Sequence, residues 1–276
     1  MKLLYWRFVL PTLYLAHFFL LPADSFAEVS LQYSRNMDTN PGWSTEGLWA
    51  YGKPEGKGGE YGGPDPSSGF TGDNVYGYNL SGDYVINLPE LHLTTEAINC
   101  SDLSQVKLKF WRWLGVEDSF YGLGDYAFIR VSNDGIVWTT VWENPAIGPV
   151  EDTSWIQQEV DISPVANCKS TVYIRWTMGT TDGLYNYCGW NIDDVEIWAE
   201  SSVMRPCPEC SDNVSLIENV TFPACKTCEC IASTPITIGS GVVFETGANV
   251  TVKAPKVSLK PGFHTPSNAR VNIRQP

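Results

Sequence analysis

Two adjacent carboxylates, Asp193 and Asp194, interrupt the apolar and aromatic stretch Cys188–Trp198, which otherwise reads as a buried β-strand. In an extended strand successive side chains point to opposite faces. That periodicity predicts Asp193 on the face of Val195 and Ile197, with Asp194 opposite them beside Glu196. A carboxylate on the core side is costly unless it has a partner. A hard cation such as Ca²⁺, which takes carboxylate and carbonyl oxygens, is a fitting partner at the end of a sandwich strand. The doublet predicts a metal-braced extracellular β-sandwich rather than an enzyme.

Other chemistry is thinly represented. Outside the first 27 residues there are two histidines, His92 and His264, in different parts of the chain, so a histidine-based triad within one unit has His92 alone. The sequence contains no Gly-x-Ser-x-Gly, His-Glu-x-x-His or phosphate-cradling glycine motif. Carboxylate pairs for acid–base work are available among Glu117, Asp118, Asp125, Glu143, Glu151 and Asp152. Such acids also occupy solvated loops in acidic proteins, and no catalytic residue is assigned. Five Asn-x-Ser/Thr sites, at Asn79, Asn99, Asn213, Asn219 and Asn249, matter only in a glycosylating host.

Positioning these residues falls to an all-β chain: Trp, Tyr and Phe number 11, 13 and 11, against 24 Gly and 18 Pro, and no long stretch has helical periodicity. Residues 1–27 read as an export signal. Lys2 and Arg7 precede the apolar run Phe8–Leu21, and Ser25-Phe26-Ala27 supplies a cleavage site. The run is short for a membrane span, and no later segment is long and apolar enough for one. Removing residues 1–27 moves the formal charge from −13 to −14, a balance that disfavours nucleic acid and anionic membranes and suits cation binding.

Residues 28–200 read as one sandwich domain. Long Gly- and Pro-rich loops over Asn40–Ser68 precede strands at Val106–Trp113, Tyr126–Ser132, Val137–Trp142, Ser154–Asp161, Val172–Met178 and Ile192–Ala199. Asn133-Asp134-Gly135 is a hairpin turn, a structural role for Asp134. Trp111 and Trp113 lie opposite the core face of one strand, and Tyr173 and Arg175 opposite that of another. These four are the candidate ligand-binding residues; loops covering a sheet produce the same pattern. Residues 201–232 form a cysteine-rich connector. In residues 233–276 the short apolar runs Ile236–Ile238, Val242–Phe244, Val250–Val252, Val257–Leu259 and Val271–Ile273 are spaced as rungs of a small β-solenoid.

Eight cysteines in an exported protein point to disulfides. Three (Cys100, Cys168, Cys188) fall in the sandwich and five (Cys207, Cys210, Cys225, Cys228, Cys230) in the connector, so a bridge crosses the boundary or two thiols stay free. The pairs Cys207-x2-Cys210 and Cys225-x2-Cys228 also match zinc-ribbon spacing, but export and the additional Cys230 favour disulfides.

With these pieces in order, the sandwich resembles the jelly-roll modules of the MAM class, and more closely the accessory sandwich domains of immune-inhibitor-A-like secreted metallopeptidases. The likeness is carried by Pro41-Gly42-Trp43 with Trp49, by Gly72-Asp73-Asn74-Val75-Tyr76-Gly77, and by Leu108–Glu117. It continues through Ile129–Gly135 with Trp138, Trp155 with Asp161-Ile162-Ser163, and Gly189–Val195. It spans most of residues 30–199 and is specific for fold, less so for function, since such modules serve adhesion, glycan binding and positioning of attached enzymes. The resemblance implies a Ca²⁺ held by Asp38, Asp73 and Asp193, with backbone carbonyls completing the oxygen shell, although Met37-Asp38 stands where a Phe-Glu pair is commoner. It also implies a Cys100–Cys188 bridge, with Cys100–Cys168 as an open alternative. The tail resembles short repeat modules at the ends of bacterial surface and secreted proteins, through Val250–Pro255 and Val257–Phe263.

The expectation is therefore an all-β, secreted, non-catalytic module: a Ca²⁺-stabilised jelly-roll β-sandwich with a small C-terminal β-solenoid-like unit, recognising a glycan or a cell-surface protein. Two alternatives remain, a sandwich-type glycan hydrolase or lyase using carboxylates such as Glu117, Asp118 and Asp125, and a purely structural surface component.

Overall fold

The computed structural model describes residues 28–119, 124–202, 207–208, 216–266 and 268–274. The expected export signal, Cys210 and Asn213 lie outside them. Thirteen strands build the first unit: β1 (Val29–Arg35), β2 (Ser44–Thr45), β3 (Trp49–Gly52), β4 (Val75–Tyr78), β5 (Leu91–Thr94), β6 (Ile98–Cys100), β7 (Leu103–Val116), β8 (Ala127–Ser132), β9 (Thr139–Glu143), β10 (Val150–Glu151), β11 (Ile156–Asp161), β12 (Lys169–Met178) and β13 (Gly189–Ser201). They form two antiparallel sheets. One runs β10-β7-β13-β4-β3, with β1 beside β13 and β11 beside β7; the other runs β2-β5-β12-β8-β9, with β6 beside β12. The chain is an all-β jelly-roll sandwich, as its strand spacing and turn residues dictate.

Alternation within each strand divides core from surface. Val106, Leu108, Phe110 and Leu114 of β7 face Val172, Ile174 and Trp176 of β12, all fully buried. Trp43, just ahead of β2, stacks between Tyr76 (5.1 Å) and Trp176 (5.8 Å), so the Pro-Gly-Trp signature is a core anchor. Arg112 falls on the same inward parity. It is held by a two-pronged pair with Asp152 (2.8 and 3.0 Å) at the rim and lies over Trp142. In the turn after β8, Asp134 Oδ1 accepts the N–H groups of Ile136 and Val137, both at 2.8 Å, while Gly135 takes a positive φ of 74°.

One expectation fails at β13. Asp194 has φ 45°, and the pairing with β7 shifts register between Asp193 and Glu196. This bulge inserts an extra residue and flips the alternation. Trp190 and Ile192 before it and Val195, Ile197 and Ala199 after it all face the core, so Asp193 falls with Asn191 on the outer face.

The second unit is a parallel solenoid of three turns. β14 (Leu216–Ile217), β15 (Thr221–Phe222) and β16 (Thr227–Ile231) form the first turn, and β17 (Ile236–Ile238), β18 (Val243–Phe244) and β19 (Asn249–Lys253) the second. β20 (Val257–Leu259), a bridge at His264 and β21 (Arg270–Arg274) form the third. Each turn pairs in parallel with the next. Ile217, Phe222, Cys228, Ile238, Phe244 and Val250 share its interior, with Phe222 stacked on Phe244 at 4.9 Å. The apolar runs after residue 233 are thus rungs as expected, but the first rung lies within the segment read as a connector. Its cysteines masked the pattern, because Cys228 and Cys230 occupy interior positions that Val250 and Val252 fill one turn later.

The disulfides differ from the expected set. Cys168 bonds Cys225, joining sandwich to solenoid, and Cys207 bonds Cys228; Cys230 is also disulfide-bonded. Cys100 and Cys188 are free and buried. Cys100 pairs beside Lys169 near the start of β7, whereas Cys188 adjoins Gly189, which pairs with Gly115 at its end. The strand between them rises about 40 Å at roughly 3.3 Å per residue, far beyond the reach of a disulfide. The Cys100–Cys168 alternative is excluded by the bond from Cys168 to Cys225.

Closing a loop of this length stabilises a fold by about 2–4 kcal/mol. Replacing Cys168 and Cys225 together by Ser is expected to lower Tm by roughly 5–15 °C in a thermal melt. Thiol titration should find Cys100 and Cys188 unreactive until the chain is unfolded.

Candidate functional site

Because the bulge turns Asp193 outward, the loop Ser67–Asn74 has to cover it, and the carboxylate is fully buried there. Its Oδ2 accepts the Thr71 N–H (3.0 Å) and its Oδ1 the Asp194 N–H (2.8 Å). Thr71 Oγ1 also donates to Asp194 Oδ1 at 2.8 Å. Burial pushes the Asp193 carboxyl up to about 7, against the opposing pull of these N–H groups. At Gly69 the backbone leaves a small concavity. A Cβ there would lie 2.7 Å from Asp193 Oδ2 and 2.9 Å from the Asn74 carbonyl oxygen, with the Thr71 carbonyl oxygen nearer still. Three oxygens converging on one point, one of them a buried carboxylate, form a donor set of the kind hard cations take.

The other two expected ligands do not join it. Asp73 points outward and pairs with Lys53 Nζ at 2.9 Å, with both side chains largely exposed. Asp38 lies on the far side of the loop: a Cβ on Gly72 would meet its Oδ1 at 2.7 Å. It borders a groove of about 400 Å³ shared with Ser34, Asn36, Thr71, Asp194 and Glu196. Asp38 therefore neighbours Asp194 across the loop. The carbonyls of Thr71 and Asn74, which no residue type announces, stand where the Asp73 side chain was expected.

The same roof carries a second buried acid. Asn191 Nδ2 donates to Asp65 Oδ1 at 2.7 Å, while Asp65 Oδ2 and Asn191 Oδ1 are buried without a hydrogen-bond partner. Burial, reinforced by nearby Asp83, pushes Asp65 up to about 8. A proton on Oδ2 gives the pair a donor for its orphaned acceptors. Nothing in the sequence around Pro64-Asp65-Pro66 separates this residue from a turn aspartate.

A third cluster lies at the opposite end of β7. Carboxylate oxygens of Glu117, Asp125 and Asp182 all fall within 4.8 Å of one another. Asp125 is buried, with Oδ2 accepting the Tyr84 hydroxyl and Oδ1 the Asp182 N–H (2.8 Å). Burial first, then repulsion from Asp125 and Asp182, pushes Glu117 up to about 7. Asp118 is turned aside and accepts the Gly148 N–H at 3.0 Å.

The four candidate ligand-binding residues part company. Trp111 and Trp113 lie on the outer face of the seven-stranded sheet, under the roof loop: Phe70 stacks on Trp111 at 3.5 Å, and Trp155 meets Trp113 edge-on at 6.1 Å. Tyr173 and Arg175 lie on the outer face of the other sheet, across the core, because their neighbours Val172, Ile174 and Trp176 fill the interior. One surface cannot hold all four. Around Arg175 the six-stranded sheet presents His92, Thr94, Phe128, Arg130 and Thr140 in register.

No family model matches the chain. It is 26% identical over 178 residues to Bacillopeptidase F of Bacillus subtilis (strain 168), an alignment covering 63% of this chain; the chain spans only 11% of that relative's length. Among solved structures, the K1 cleaved adhesin domain of the Lys-gingipain of Porphyromonas gingivalis W83 is similar at 19% identity and TM-score 0.40, covering 61% of this chain and 98% of that one. The K3 cleaved adhesin domain of the same protein is similar at 18% identity and TM-score 0.29, covering 54% and 91%. A CBM35 from Paenibacillus barcinonensis is similar at 16% identity and TM-score 0.33, covering 60% and 98%. Among the described residues no helix is long and apolar enough to cross a membrane.

The Asp65 pair sets a pH dependence. The folded chain holds a proton there that the unfolded chain, with the carboxyl at 3.8, releases between about pH 4 and 8. The stabilisation it contributes is complete below pH 4 and is lost as pH rises through about 8. Asp65→Asn supplies an amide donor that never ionises. With chelator present, its Tm advantage over the native chain is expected to grow between pH 5 and 9; a constant difference would show that Asp65 does not titrate in this window.

Proposed function

We propose that the chain is an extracellular, non-catalytic binding module of the MAM-like, immune-inhibitor-A-like kind, braced by Ca²⁺ and recognising a glycan. The observation that carries this reading is the asymmetry of the sandwich. The outer face of the seven-stranded sheet is roofed by the loop through Phe70, whereas that of the six-stranded sheet keeps half-exposed Tyr173, Arg175 and Trp138. Aromatic rings and fixed polar groups on a flat sheet suit sugar rings and hydroxyls. The partial match to Bacillopeptidase F supports a segment that works inside larger bacterial proteins. In this reading the solenoid is a stabilising or attachment element.

Ca²⁺ enters as a brace. Asp193 with the Thr71 and Asn74 carbonyls would hold it, and its charge would offset the desolvation of the buried carboxylate. It would thereby fix the roof loop on β13, away from the proposed binding face.

A second reading, a glycan hydrolase, draws on the Glu117 carboxyl near 7, a value useful to a general acid. It ranks lower. Both oxygens of buried Asp125 are committed to the Tyr84 hydroxyl and the Asp182 N–H. Turnover of a polysaccharide, lost in Glu117→Gln, would promote it.

Adding Ca²⁺ to chelator-treated protein is expected to raise Tm by several degrees, since ligand at a hundred times Kd contributes about 2.7 kcal/mol. Asp193→Asn should abolish that shift and Asp73→Asn should leave it. On a glycan array, Tyr173→Ala is expected to weaken binding without changing Tm. Trp111→Ala should do the reverse, losing the Phe70 stack and a few degrees of Tm while binding persists.

A further inference from the structure

Four arginines are placed in the sandwich, and three have a carboxylate partner. Arg35 meets Glu96 at 2.7 Å, Arg112 meets Asp152 at 2.8 Å, and Arg130 meets Glu90 at 2.6 Å. Arg175 stands apart. Its Nε donates to Thr94 Oγ1 at 3.0 Å and its guanidinium carbon lies 3.7 Å from the centre of the Trp138 ring. No described carboxylate lies within ion-pairing distance of it, and its two terminal nitrogens have no acceptor among the described residues. We infer that the open face of the six-stranded sheet selects carboxylate-bearing saccharides, with Arg175 receiving the carboxylate. The inference rests on the glycan-binding reading and names the class of glycan.

The geometry prepares the fork for an anion. A guanidinium pinned at Nε and stacked on an indole has little rotational freedom left to lose, and it presents its remaining N–H groups in the parallel arrangement a carboxylate accepts. No acid around it forms an ion pair with it, and Glu46 acts on it only through space. Arg130, directly opposite in register, is neutralised by both oxygens of Glu90 (2.6 and 2.8 Å) and rests on Phe128. Glu46, the other acid influencing Arg175, accepts the His92 N–H at 3.2 Å. Partial burial pulls the Arg175 guanidinium below its usual range, the mark of a cation that has lost water without gaining a partner.

The rest of the face indicates a sugar rather than an acidic peptide. Tyr173, His92, Thr94 and Thr140 are ring and hydroxyl chemistry spread across the sheet from β5 to β9, with Trp138 just ahead of β9. Peptides recognised by sheets run along the edges, where main-chain groups are free. Carboxylates on saccharides come from uronates or from sialic acids, and the two are separable by experiment.

The test is binding of the full exported chain to polygalacturonate, to a sialylated glycoprotein before and after desialylation, to dextran, and to poly-glutamate, each at low and high salt. Native protein is expected to bind at least one carboxylated saccharide in preference to dextran, with the sialidase-treated arm identifying the source. Arg175→Gln should weaken that binding about tenfold or more at unchanged Tm, the loss of a charge-assisted fork. Arg175→Lys should fall between, since an ammonium keeps the charge without the fork. Lys107→Gln, removing the same charge from the opposite sheet, should bind as the native chain does. Equal binding of dextran, or binding of carboxylated sugars that Arg175→Gln leaves intact, overturns the inference while the glycan reading stands. Poly-glutamate bound in place of sugars overturns the inference and the glycan reading. Failure to bind any saccharide overturns both as well.

Discussion

The arrangement turns on a single buried carboxylate. Asp193 sits at a bulge in β13, on the outer face of a sheet whose inner face is apolar apart from Arg112 at the rim. An ionised carboxylate without compensation would be driven back to water, and the roof loop would lift with it. The N–H groups of Thr71 and Asp194 hold it down, so one side chain decides whether the loop from Lys53 to Asn74 covers β13. Everything beneath that cover follows: the Phe70–Trp111 stack, the Asp65–Asn191 pair and the burial of Asn191.

Fold and site were unequally legible in the sequence. Alternation and Asp-Gly turns expose strands such as β7, β8, β12 and β13, because those residues report directly on which side faces the core. The solenoid rungs were legible where they are aliphatic and illegible where Cys228 and Cys230 fill the interior. The bulge at Asp194 was not legible at all: a non-glycine residue at positive φ carries no compositional mark, yet it reverses the face of Asp193. The oxygens near Asp193 come from the backbone, and side-chain reasoning therefore looked to Asp73. Facing is local to each strand, whereas membership of a sheet is topological. That is why Trp111 and Arg175 each read correctly as outward-facing and were still grouped on one surface.

Covalent and non-covalent ties then join the two units at one end. Cys168 N donates to the Leu103 carbonyl at 3.0 Å, its sulfur bonds Cys225, and Lys226 reaches Asp102 at 3.5 Å. Cys225 in turn donates its N–H to Thr246 on the next rung. The junction therefore grips the start of β7, where Cys100 also lies.

The two outer faces have opposite electrostatic solutions, and that difference argues for a division of labour. On the roofed face each buried acid accepts hydrogen bonds within the chain, Asp193 from the Thr71 and Asp194 N–H groups and Asp65 from the Asn191 amide. On the open face a cation is fixed by an indole and a threonine hydroxyl, with no ion pair among the described residues. Folding alone does not favour leaving a partly desolvated guanidinium unpaired while Arg35, Arg112 and Arg130 each find a carboxylate, since pairing at Arg175 would cost only one substitution among its neighbours. In a chain carrying 31 acidic residues against 18 basic ones, a carboxylate for every arginine is easily supplied. Its absence at Arg175, alone among the described arginines of the sandwich, is most simply explained by a partner that arrives from outside.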